Sequence, residues 1–91
     1  MDALEREIQE LRRITDERNA IDCRSHILRF GDEILHDIRH SKEHFDQILR
    51  DIKAYEAYCK QHPNFENNTT LMTTRQILTT YQRCMETHGF L

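Results

Sequence analysis

The sequence predicts an all-α protein: a long N-terminal amphipathic helix, a turn, and a shorter antiparallel helix, packed as a helical hairpin or bundle of coiled-coil character. Three observations carry this. Apolar residues recur at helical spacing through most of the 91 residues. With Gly 2 and Pro 1, the chain lacks the turn residues that a sandwich or a parallel α/β fold needs every ten or so positions. Charged residues, 32 % of the chain against 37 % hydrophobic, are interleaved with the apolar ones as on exposed helices.

The first helix starts almost at once. Asp2 followed by Glu5 has the form of an N-cap with its N3 carboxylate, and Leu4, Ile8, Leu11 and Ile14 then fall one helical turn apart. Three series of seven-residue spacing follow: Ile14, Ile21, Leu28 and Leu35; Ile27, Ile34, Ile48 and Tyr55; Ile38, Phe45, Ile52 and Cys59. Side by side they make an a/d/e face, wider than the seam of a two-stranded coil and suited to two neighbours in a bundle. The early stripe through Leu4 and Leu11 does not continue in phase, because Arg18 and Ser25 hold its next positions. Either a straight helix drifts against the repeat, or the helix is kinked or hinged within 15–31. Gly31 is expected inside the helix, at a cost of about 1 kcal/mol relative to Ala.

Pro63 disfavours helical geometry at His62, and the residues after it have turn composition, so the long helix is expected to end near Lys60 or Gln61. A second helix follows, with Asn68, Thr69 or Thr70 as cap, Thr73 and Gln76 as a capping box, and Leu71, Leu78, Tyr81 and Met85 as its stripe. Gly89 reads as the C-cap glycine, with Phe90 and Leu91 folding back. The expected organisation is one helical domain, 1–91, with a long helical region 2–61, a turn 62–69 and a second helix 70–88. The long arm would span about 90 Å and the short one about 27 Å, so much of the long helix needs another partner. Tyr55, Phe65, Leu78 and Tyr81 are expected in one cluster that closes the turn.

Function classes narrow by charge and motif. A net charge of -3, from 13 basic and 16 acidic residues mixed along the chain, gives no field that would gather nucleic acid or anionic membrane. The early arginines alternate with carboxylates, as helix-face ion pairs do. No apolar run is long enough for a signal peptide or a membrane span, and three scattered cysteines argue against a disulfide framework, so a cytoplasmic protein is expected. Asn67 and Asn68 head glycosylation-type triplets that read as loop composition. No glycine-rich phosphate loop or nucleophile elbow can be assembled from two isolated glycines.

Metal chemistry has fragments only. His40-Ser41-Lys42-Glu43-His44 fits the inverted zinc-protease string, and Glu33-x-x-His36 the half-motif of di-iron bundles, but neither has the further ligands its chemistry requires. Each cysteine precedes a histidine on one helical face: Cys23 and His26, Cys59 and His62, Cys84 and His88. An antiparallel second helix would bring Cys84 and His88 level with Ile48 and His44, which makes His40, His44, Cys84 and His88 the zinc alternative. The leading expectation has no cofactor, no metal, no catalytic residue and no small-molecule substrate. It is a non-enzymatic helical interaction module, an adaptor, regulator or small assembly subunit, binding a protein partner or itself through Leu4, Leu11, Ile14, Ile21, Leu28, Leu35 and Ile38. A Cys/His metal-binding or redox-sensing module is the rival.

Overall fold

The computed structural model describes residues 1–65 and 70–91. It is all-helical, with three helices and no strand among the described residues: α1 (Ala3–Leu35), α2 (Lys42–Gln61) and α3 (Leu71–Thr87). The caps Asn68 and Thr69 and the second half of the expected turn fall on 66–69, outside the described residues.

α1 begins as its sequence implies, the Asp2 carboxylate accepting the Glu5 N–H at 2.8 Å. It does not continue to residue 61. The expected single helix ends at Leu35, past the 15–31 window in which a hinge was expected, and Gly31 lies within it. The stop is a backbone motif: Asp37 adopts φ 59°, its N–H bonds to the Ile34 carbonyl at 3.0 Å, and the Ile38 N–H bonds to that of Glu33 at 3.0 Å. Aspartate is among the few residues that tolerate the left-handed region. Ser41 restarts the helix, its Oγ accepting the His44 N–H at 3.1 Å, with Glu43 in the first turn, where the helix dipole favours a carboxylate.

The break turns the chain back along itself. Phe45 near the start of α2 meets Phe30 near the end of α1 edge to face, with ring centroids 4.9 Å apart. Further along, Asp51 reaches His26 at 3.2 Å, and Arg24 lies 5.2 Å over the ring of Phe65 just beyond α2. The core is Ala20, Ile27 and Phe30 from α1, Phe45, Ile48, Ile52, Tyr55 and Cys59 from α2, and Ile77 from α3. Two of the three seven-residue series supply most of it. The third, through Ile21, Leu28 and Leu35, is exposed, so the face is not the three-series band expected of one unbroken helix.

α3 packs mainly against α1, not against the C-terminal half of a long helix. Its buried Thr74 and Ile77, with the buried N-cap Thr70, follow helical spacing. The approach is close at Gly31: a Cβ placed there would lie 2.3 Å from Cγ2 of Thr73. The glycine is required by the neighbour helix, and is more than a tolerated defect. The aromatic residues accordingly form two groups instead of one. Tyr55 and Tyr58 take Phe65, with centroids 6.1 and 5.0 Å away, while Tyr81 sits 5.7 Å from Phe45 at the other end and Leu78 is exposed.

At the end of α3 the left-handed residue is His88, φ 55°, and not the expected Gly89, whose φ is not positive. Phe90 then packs 5.5 Å from Phe45 and 5.7 Å from Tyr81, and Leu91 stays exposed. Arg39 donates to the Phe90 carbonyl at 3.0 Å and the Leu91 N–H to the His40 carbonyl at 2.9 Å, so this segment is tied to the α1–α2 connection.

Candidate interaction surface

α1 is longer than the elements that cover it. The C-terminal turns of α2 reach only to the level of Asp16 and Ala20, where Asp16, Asn19, Ala20 and Cys23 share a groove of about 300 Å³ with Ala54, Ala57, Tyr58, Gln61 and His62. Every residue from Met1 to Arg13 is exposed. This stretch is an overhang of about 16 Å, at 1.5 Å per residue, and holds no buried residue. Leu4 (65 % exposed), Ile8 and Leu11 (64 %) line it one turn apart.

From the overhang the apolar stripe continues along α1. Ile14 is half-buried, and Ile21, Leu28 and Leu35 are exposed by 37 %, 39 % and 67 %. The core residues Ala20 and Ile27, and Ile34 packed beside them, lie on another face, so α1 is apolar on two faces and the bundle uses one. Ile38 does not extend the stripe. It lies in the α1–α2 connection, where with Ile34, Arg39, His40, Cys84 and Gly89 it lines a separate cavity of about 180 Å³. The flank of the overhang is charged: Arg13 bonds Glu10 at 2.6 Å and Glu17 at 3.5 Å on its own helix, which lowers the Glu10 pKa and raises that of Arg13.

The histidines and cysteines are placed differently from what their spacing implied. Cys23 faces the groove beside α2, whereas His26, one turn on, is exposed and pairs with Asp51. Burial chiefly, with Asp51 and Asp22 nearby, pushes the Cys23 thiol pKa up. His62 stacks on Tyr58 at 4.0 Å and donates to the Tyr58 carbonyl at 2.9 Å. All three cysteines are free thiols.

The zinc-protease string straddles the helix break, so His40 lies in the connection and does not share a helical face with His44. The buried His40 ring stacks on Phe30 at 3.9 Å and donates from Nε2 to Glu33 Oε1 at 3.2 Å. His44 lies 6.4 Å from it, ring to ring, and His88 is exposed at the end of α3. Glu33 is thus spent on His40, and His36 bonds the carbonyl of Asp32 at 2.8 Å. Among the described residues no group of three or more His, Cys, Asp or Glu side chains is gathered to hold a metal ion. Phe30, Gln47, Ile48 and these imidazole–carboxylate pairs line an open α1–α2 groove, in which His26–Asp51 links the two helices and His40–Glu33 ties the connection back to α1.

Among the described residues no helix is long and apolar enough to cross a membrane. Compared with family models, with curated proteins and with solved structures, the chain finds no match.

Proposed function

We propose that this chain is a non-enzymatic helical interaction module, an adaptor, regulator or small assembly subunit, that works through the outward apolar face of α1 and self-associates. One observation carries the reading: Leu4, Ile8 and Leu11 are exposed on a helical overhang that no other described residue buries. Large apolar side chains held in a row at helical spacing favour a helix-in-groove or helix-on-helix partner, since each turn offers another anchor. Mixed charge with a net of -3 speaks against a nucleic-acid partner. Three free thiols suit a reducing, cytoplasmic setting.

The test is apparent mass by light scattering from low to high micromolar concentration. The mass should rise above 11.0 kDa, and Leu11→Asp should return it to the monomer with helix content unchanged, because Leu11 touches no core residue. A mass that rises equally in Leu11→Asp would show that the face is wrong. A strict monomer throughout would remove self-association from the reading.

A further inference from the structure

Resting on that reading, the register of the outward face identifies what covers it. Leu4, Glu7, Leu11, Ile14, Arg18 and Ile21 are spaced alternately by three and four residues, the a/d pattern of a coiled-coil seam. At 3.6 residues per turn they fall within about 100° of arc, on the side of α1 away from Ala20, Ile27 and Ile34. Five of the six are exposed and Ile14 is half-buried.

The seam is complementary to its own reverse. Laid antiparallel on a second copy, Leu4 meets the partner's Ile21, Leu11 meets the partner's Ile14, and Glu7 meets the partner's Arg18, with the same contacts repeated about the two-fold axis. Every apolar position finds an apolar one, and the two charged positions find each other. Laid parallel in register, Glu7 would face Glu7 and Arg18 would face Arg18, which is unfavourable at both layers. Arg12 and Arg13, next to the axis in sequence, point to the back of α1, and the carboxylates that flank the seam, Glu10 and Glu17, are already paired with Arg13 on their own helix. α2 lies on the opposite side of α1 and ends level with Asp16 to Ala20, so it does not obstruct the second helix.

We propose that a second copy of this chain occupies the face, in an antiparallel two-helix seam running from Leu4 to Ile21 with Glu7 paired to Arg18 across the interface. The seam is about 27 Å long. It removes roughly 1,000 Å² from water, the small end for a specific interface.

Sedimentation equilibrium of the full chain at fixed salt, with Glu7→Arg, Arg18→Glu and the double variant, tests the pairing. Each single variant places like charges at both mixed layers and should weaken the dimer by about tenfold or more, and the double variant should return to within about threefold of the starting Kd. Single variants without effect, in a dimer that Leu11→Asp still dissociates, would overturn this register and leave the face intact. A dimer that survives Leu11→Asp would refute the face as well. A chain monomeric up to the highest concentration would overturn the second copy as occupant. Helix content of each variant, measured alongside, guards against unfolding.

Discussion

Replacing Gly31 by alanine sets two opposed effects against each other at one atom. Within a helix the change favours the folded state by about 1 kcal/mol, through backbone entropy and propensity. In this chain the new methyl would lie 2.3 Å from Thr73 Cγ2, where carbon atoms rest at about 3.5 to 4.0 Å. The Thr73 Cβ is 3.6 Å away and is not in conflict, so the obstacle is a single methyl. Thr73 is β-branched and half-buried on a helix, and its χ1 has few alternatives. Relief therefore comes from moving α3 off α1 by a substantial part of an ångström. Overpacking of this kind costs about 1 to 3 kcal/mol. Gly31→Ala should thus destabilise by about 1 kcal/mol net, or about 4 to 8 °C in Tm for a chain of this size. In a Thr73→Ser background the methyl is gone and the same substitution should become stabilising, by up to about 1 kcal/mol. Thermal unfolding of the four proteins at one protein concentration gives the coupling between the sites. A Gly31→Ala protein that melts higher than its parent with Thr73 in place would refute the close approach of α1 and α3.

The helix break offers two local tests by thermal unfolding. Asp37→Gly relieves the left-handed backbone at φ 59° and should stabilise by roughly 0.5 kcal/mol, while Ser41→Ala removes the α2 cap and should cost about 1 kcal/mol. His36 is held protonated above the usual imidazole range, first by the Asp32 carbonyl and then by its carboxylate. Its contribution to the end of α1 should be complete at low pH and vanish as pH rises through its raised pKa, which NMR titration against His36→Gln reads directly. The Cys23 thiol, raised chiefly by burial, should alkylate more slowly at pH 7 than a free cysteine, with a rate that climbs with pH past the ordinary thiol range. A rate equal to that of free cysteine would place Cys23 outside the groove.

Periodicity carried the sequence reading furthest where one helix face meets one neighbour. Ile27, Ile48, Ile52, Tyr55 and Cys59 were read onto a common apolar face, and all are buried. The break at 36–41 was not visible in that pattern, because Ile38 and Phe45 keep the seven-residue phase across it. The cues were short and local: an aspartate able to take φ > 0, and a serine with a carboxylate two residues on. Losing the break misplaced everything that depends on it. One unbroken helix would set α3 against its far half, join Tyr81 to Tyr55, and leave His40 one helical turn before His44 on the same helix. The exposed stripe was legible because it is a helix-period signal in its own right. Its two faces on α1 could not be separated by pattern alone, since both are apolar and only packing assigns one to the core.

Amide hydrogen exchange across Leu4–Ile14 at increasing protein concentration tests most directly whether a partner helix completes the exposed apolar face of α1. Residues of the overhang have helical hydrogen bonds but are all exposed, so in the monomer their protection should be slight. Protection that grows with concentration, while the buried Ile27 and Ile52 keep theirs throughout, is the predicted result. Exchange in this segment that is equally fast at every concentration, with the core fully protected, would contradict it.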